Sequence, residues 1–201
     1  MIKDISGRIL NNEPVGITGN DKYKNLLKVT EERWNGQIKY TDNSNNEYES
    51  GVQIITGKDD KIVFKRTLKL VPQELAVGIG CKKGKSANEI ERAVKKTFDK
   101  AGLLLEAIAV VASVDRKADE AGIIEFARKW KVPYKTYTPE YLRNVEGDFV
   151  SSAFVEEQIG VGNVCERSAS AASAGGEKLV GKTADNGITV AIYRVAHKNK
   201  E

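Results

Sequence analysis

The sequence predicts an α/β protein: a three-layer α/β/α mixed sheet over residues 74–201, preceded by a smaller strand-rich segment over residues 1–73. Three observations carry this. From Leu75 onward, apolar runs of strand length alternate with helical periodicity, the mark of parallel strand-helix-strand units. Near the C-terminus, Asn186-Gly187 stands between two β-rich runs, a hairpin signal that adds an antiparallel edge pair. Before Pro72, short β-rich runs separated by turn residues take the place of helical periodicity.

Taken in order, Gly7-Arg-Ile-Leu10 and Val15-Gly-Ile-Thr18 flank Asn11-Asn12-Glu13-Pro14 and read as a hairpin. Val52-Gln-Ile-Ile-Thr56 and Lys61-Ile-Val-Phe-Lys65, around Gly57-Lys-Asp-Asp60, read as a second one. Between them, Leu26, Leu27 and Trp34 are too sparse to separate helix from strand, and Asp42-Asn-Ser-Asn-Asn-Glu47 is a polar loop. Leu75 to Ile79 is a short apolar strand run ending in Gly78-Ile-Gly80-Cys81. It is followed by Ser86-Ala-Asn-Glu89, a capping box, and by Ile90, Ala93, Val94, Thr97, Phe98 and Ala101 at helical spacing, with Gly102 placed to end the helix. Ala107 to Ser113 is apolar almost throughout, as a strand covered on both faces requires. A helix over Glu120 to Trp130 returns to a third strand at Tyr134 to Tyr137. Thr138-Pro139 starts a short helix, Ser151 or Ser152 caps another reaching Ile159, and a small-residue helix spans Cys165 to Ala174. Leu179-Val-Gly181 and Ile188 to Arg194 complete the hairpin.

A hydrophobic fraction of 40% and a charged fraction of 30% predict a packed core rather than disorder. The net charge of +4 is spread over both halves among many acids, which argues against a nucleic-acid partner. The first residues carry no apolar leader pattern, and no stretch approaches the ~20 apolar residues that span a bilayer, so a cytoplasmic protein with no membrane partner is expected. Cys81 and Cys165 lack close spacing and are expected as reduced thiols. With His197 as the sole histidine, a His-based triad or multi-His metal site cannot be built. Acid–base chemistry falls to carboxylates, Lys, Tyr, Cys or the substrate.

Three glycine-bearing turns carry the functional signal. Gly78-x-Gly80-x-x-x-Gly84 lies between a strand and a helix, where backbone N–H groups at a positive helix end suit an anion; Lys82, Lys83 and Lys85 add charge. Its spacing fits neither a dinucleotide fingerprint nor a phosphate loop, and the glycines could equally serve only the turn. Ser113 to Gly122 follows the second strand and belongs at the same sheet edge. Asp115, Asp119 or Glu120, beside Arg116 and Lys117, would suit hydrolysis as acid or base; the plain alternative is that Asp119 caps the helix and Glu120 complements its dipole. In Gly160 to Ala169, Gly162, Asn163 and Glu166 could reach a cleft, while Cys165 reads as a packing residue.

Four ordered segments, Leu75 to Gly84, Ser113 to Gly122, Gly160 to Ala169 and Asn186 to Ile192, resemble successive motifs of the C-terminal domain of the CbiG family and its stand-alone relative CobE. Residues 1–73 are similar to the middle segment of CbiG. The resemblance implies cobalt-precorrin-5A hydrolase activity: opening of a δ-lactone and loss of a two-carbon unit as acetaldehyde. It implies no protein cofactor, since cobalt arrives with the substrate. Gly78, Gly80, Lys82, Lys83, Gly84, Lys117, Gly162, Asn163 and Glu166 become candidate contacts to the corrinoid carboxylates, and Asp115, Asp119 and Glu120 candidate catalytic groups. Full-length relatives begin with a further α/β module that nothing here matches. A separate N-terminal module, other cobalamin-pathway enzymes or a second copy of the chain are therefore expected partners, and a CobE-like, purely binding role is the alternative to catalysis.

Overall fold

A computed structural model describes residues 2–19, 23, 37–58, 61, 63–149 and 162–196. The chain forms two units, Met1–Pro72 and Gln73–Glu201. The segments Lys24–Trp34 and Ser151–Ile159 lie outside the described residues, as does His197.

The first unit corrects both expected hairpins. Residues Ile2–Leu10 are a helix, α1. Its spacing explains this: Ile2, Ile5 and Ile9 fall on one face, Ile5 is buried, and Arg8 pairs with Asp4 one turn away at 3.7 Å. The strands β1 (Val15–Gly19), β2 (Ile38–Tyr40), β3 (Ser50–Ile54) and β4 (Arg66–Leu70) are all parallel, in the order β2-β1-β3-β4. Lys61 and Val63–Lys65 are not in a strand, and Phe64, 1% exposed, fills a slot over two facing glycines. Gly16 and Gly51 are register partners, and a Cβ on either would stand 2.4 Å from the Phe64 ring. Asn43 fastens the segment by donating from Nδ2 to Val63 O at 2.7 Å and to Tyr48 O at 3.0 Å.

The second unit is a five-stranded mixed sheet in the order β7-β6-β5-β9-β8. Its elements are β5 (Leu75–Cys81), α2 (Ala87–Ala101), β6 (Ile108–Val114), α3 (Ala121–Lys129), β7 (Tyr134–Tyr137), α4 (Pro139–Arg143), α5 (Val164–Ala172), β8 (Lys178–Asp185) and β9 (Ile188–Arg194). β5, β6 and β7 are parallel, and β9 is antiparallel to β5 and β8. Sequence dictates the boundaries: Ser86 and Glu89 close the capping box of α2, and Gly102 ends it at φ 64°. Thr138 caps α4 ahead of Pro139, and Gly187 takes φ 74° in the hairpin turn. Leu75, Ala76, Val77 and Ile79 are fully buried, so β5 is covered on both faces. Among the described residues no helix is long and apolar enough to cross a membrane.

Candidate functional site

Because β5, β6 and β7 are parallel, the loops leaving Cys81, Val114 and Tyr137 share one rim of the sheet. β9 starts at the same rim, since Ile188 pairs with Cys81 and Thr189 with Gly80. The Lys82 N–H donates to Gly187 O at 3.0 Å, which ties the first loop to the hairpin turn. Gly84 adopts φ 80° and donates its N–H to Glu120 Oε1 at 2.7 Å. The other carboxylate oxygen of Glu120 accepts from Lys117 Nζ at 2.8 Å. Gly122, in the first turn of α3, lets that helix touch the first loop: a Cβ there would stand 2.0 Å from Lys85 O.

Burial pushes the Glu120 carboxyl up, but the bonds from Lys117 and the Gly84 N–H, with Lys83 beyond, outweigh it and hold the group below the ordinary carboxylate value. Glu120 is therefore an ionised clamp with both oxygens engaged, a poor proton acceptor and a good anchor for two loops. Tyr134 extends the cluster by donating its hydroxyl to Lys117 O at 2.8 Å, and burial raises its pKa. Burial also raises the Cys81 thiol despite the Lys117 charge nearby, so Cys81 stays protonated at neutral pH.

On the other side of β5 and β6, Val164 packs with Val114 and Leu142, which brings the N-terminus of α5 to this rim. Asn163 holds φ 53° and is 1% exposed. Its Oδ1 accepts from Glu166 N at 3.4 Å and Cys165 Sγ at 3.5 Å, while Nδ2 has no partner among the described residues. Gly162 is buried beside it and its carbonyl accepts from Arg167 Nε at 3.1 Å.

Several expected contacts are placed elsewhere. Gly78 is not open to a ligand, because α5 lies directly on it: a Cβ would stand 1.8 Å from Cys165 O. Glu166 faces β8, where its carboxylate accepts from the Lys182 N–H at a strand irregularity, with Lys178 Nζ 3.7 Å away. Asp119 neither joins the rim cluster nor caps α3; Glu120 occupies the N-cap position, and Asp119 borders a shallow depression with Ala121, Ile124, Glu125 and Arg128. Asp115 is exposed in the 3₁₀ turn Asp115–Lys117 that leaves β6. Gly80 keeps its rim position, its carbonyl accepting from Thr189 Oγ1 at 3.3 Å. Lys82, Lys83 and Gly84 are exposed on the first loop.

Sequence reading passed over Tyr134, Thr189 and Arg167. Arg167 donates from Nη1 to the carbonyls of Leu142, Arg143 and Val145 at 3.0 to 3.3 Å and covers the Phe149 ring at 4.6 Å, fixing the end of α4 to α5. Only the third dimension joins those segments. The assembled rim offers the positive ends of α2, α3 and α5 with Lys82, Lys83 and Lys117, a setting for a ligand bearing carboxylates.

Residues 75–193 match the family described as Cobalamin synthesis G C-terminus. The chain belongs to this CbiG family. A cobalt-precorrin-5A hydrolase of Salmonella typhimurium is 35% identical over 130 residues, covering 64% of the present CbiG-family chain and 36% of the relative. The chain thus spans little more than a third of that relative's length. The crystal structure of CobE, a protein from the cobalamin (vitamin B12) biosynthetic pathway, superposes with a TM-score of 0.58 at 28% identity, covering 64% of this chain and 94% of CobE. A cobalamin biosynthesis protein G homolog from Sulfolobus solfataricus matches 97% of this chain and 55% of its own with a TM-score of 0.52 at 19% identity, a likeness of fold. The expected α/β class and the CbiG and CobE resemblance both hold.

Proposed function

We propose that this CbiG-family chain acts in the cytoplasm in cobalamin biosynthesis, holding cobalt-precorrin-5A at the rim for hydrolysis of its δ-lactone and release of acetaldehyde, giving cobalt-precorrin-5B. The observation that supports it most is the meeting of loop 82–86, loop 115–120 and the start of α5 at one sheet edge, where Glu120 fastens the first two together through Gly84 and Lys117. A corrinoid intermediate carries many acetate and propionate carboxylates, and helix N-termini and lysines at one edge bind such groups through charge-assisted hydrogen bonds. Cobalt belongs to that substrate.

Lactone opening consumes one water and leaves a carboxylate and an alcohol. Loss of the two-carbon unit then needs a base to take the alcohol proton as the carbon–carbon bond to the ring breaks, and a proton returned to the ring carbon. In this proposal Glu120 and Lys117 position the loops, the exposed Lys82 and Lys83 hold the substrate, Asn163 is buried and shapes the turn before α5, and Asp115, exposed on the rim, is the carboxylate placed to act as the acid–base group. A second reading, binding without turnover, is favoured by the 94% coverage of CobE; a shared site completed by a separate N-terminal module is favoured by the chain's span of 36% of the Salmonella relative.

The test is direct. Purified chain is mixed with cobalt-precorrin-5A, alone and with the N-terminal module of a full-length relative, and acetaldehyde is trapped as its hydrazone. Release by the chain alone supports the hydrolase, release only with the added module supports a shared site, and corrin binding without release in either arm supports the accessory role. Absence of both binding and release refutes the rim as a corrinoid site.

A further inference from the structure

Lysines and helix N-termini at the rim suit the carboxylates of a corrinoid and offer nothing to its flat, largely apolar body. The same edge carries a feature that does. Tyr137 is the last residue of β7 and pairs in register with Val114, the last residue of β6. It therefore stands one strand spacing, about 5 Å, from the point where Asp115 leaves the sheet. Thr138 then caps α4, its hydroxyl accepting from Tyr141 N at 3.2 Å, and this short link turns the chain back on itself. The Tyr141 ring is laid over the Tyr137 ring, with centroids 5.2 Å apart and planes within 16° of parallel.

Tyr137 is half-buried and packs against the cluster of Val114, Leu142 and Val164, the last of which opens α5. The core fixes the lower ring, and the lower ring fixes the upper one. Tyr141 is 54% exposed, and among the described residues of the second unit it is the one large hydrophobic side chain left exposed. A single exposed hydrophobic side chain carries no message by itself. One held by stacking, at the edge where the ligand loops meet, offers apolar area that can be covered with little further loss of side-chain freedom. The charges on its own turn are paired with each other, Glu140 with Arg143 at 3.2 Å.

We propose that Tyr141, backed by Tyr137, is a stacking platform for the face of a corrin macrocycle, while the lysines and helix ends hold its carboxylate arms. The proposal deepens the rim reading and rests on it. A conjugated, methyl-bearing frame gains dispersion contact over an aromatic face. The strand order β7-β6-β5 puts the first loop two strand spacings from β7, about 10 Å, so a ring resting on Tyr141 can extend its side chains toward Lys82 and Lys83. Flexible carboxylate arms held by lysines leave the tilt of the ring free. A platform beside Asp115 fixes that tilt and selects a macrocycle over small polycarboxylates.

Calorimetric titration of the full chain with cobyrinic acid, a cobalt corrin with free carboxylate side chains, provides the test, at low and at raised salt. The proteins are wild type, Tyr141→Ala, Tyr141→Gln, Tyr141→Phe and the double variant Lys82→Gln with Lys83→Gln, with folding verified by circular dichroism. Both ring-less variants are expected to weaken binding at least about fivefold, and Tyr141→Phe, which keeps the ring face, to bind within about twofold of wild type. Raised salt should leave the ring-less loss in place and shrink the loss of the lysine variant, because ions screen exposed charges and not apolar contact. The platform is overturned when the ring-less variants bind as wild type does; the rim reading then survives if the lysine variant is weakened and falls with it otherwise. It is also overturned when Tyr141→Phe binds as weakly as Tyr141→Ala, since the hydroxyl rather than the ring face would then be the contact. Weaker binding by the ring-less variants alone upholds the platform and removes Lys82 and Lys83 from the rim reading. No binding by wild type refutes both.

Discussion

Replacing Gly78 with Ala tests how β5 and α5 are held together. The added Cβ would lie 1.8 Å from Cys165 O, 2.8 Å from Cys165 C and 2.9 Å from Ala169 N, all backbone atoms of one helix, against ordinary contact at 3.4 Å or more. No rotamer change relieves a clash with backbone, so α5 must withdraw by about 1.6 Å, the gap between those two distances. That movement loosens the cluster of Ala76, Val110, Cys165, Ala169, Ala191 and Tyr193, and it shifts the Asn163 turn at the rim. Overpacking costs typically 1–3 kcal/mol, and a rigid obstacle puts Gly78→Ala at the upper end, about 3 kcal/mol. For a unit of this size that corresponds to a fall in Tm of about 10 °C. Urea and thermal unfolding are followed by Trp130 fluorescence in a Trp34→Phe background, so that the signal reports the second unit. A midpoint within about 1 °C of the parent would refute the close packing and return Gly78 to the candidate ligand contacts. Gly84→Ala is the internal comparison: nothing lies within 4 Å of its Cβ, so only the strain of φ 80°, about 1–2 kcal/mol, is expected.

Glu120→Gln removes the charge paired with Lys117 but keeps an acceptor for the Gly84 N–H, and a loss of about 1–3 kcal/mol at pH 7 is expected in urea unfolding. The folded pKa of Glu120 is depressed, so the stabilisation is complete above the unfolded value of about 4.3 and fades as pH falls through the folded value; wild type therefore loses this contribution on acidification below about pH 4, and the variant has none to lose. Phe64→Ala empties the slot over Gly16 and Gly51 and should cost the first unit about 3–5 kcal/mol, read by circular dichroism. Burial pushes the Cys165 thiol up to about 11, so iodoacetamide at pH 8 should modify it only after unfolding, as peptide mass spectrometry will determine. Asp119→Asn should leave acetaldehyde release unchanged while Asp115→Asn lowers it at least tenfold; the reverse pattern would exchange their places in the proposal.

In the second unit, local sequence and tertiary position agree. The capping box at Ser86, the Gly102 stop, Thr138-Pro139 and the Asn186-Gly187 turn each rest on interactions within a few residues, and each was legible. In the first unit they disagree. The β-rich runs suggested hairpins, but Phe64 is buried in a slot made by Gly16 and Gly51, and that slot exists only once β1 and β3 pair. The rim was legible as an edge, since loops after parallel strands must share one. Its membership was not: Glu166 turned to β8, Asp119 fell outside the cluster, and Tyr134 and Thr189 entered it from strands where nothing marked those two side chains as site residues.

Sequence alone determined the α/β class, the caps and turns of the second unit and the CbiG family, because periodicity, capping and ordered motifs are properties of neighbouring residues. Tertiary structure decided which carboxylate is locked in an ion pair, which glycine lies beneath a helix and which two tyrosines stack at the rim. Those outcomes depend on distances between residues far apart in the chain, and burial, charge pairing and close approach act through such distances.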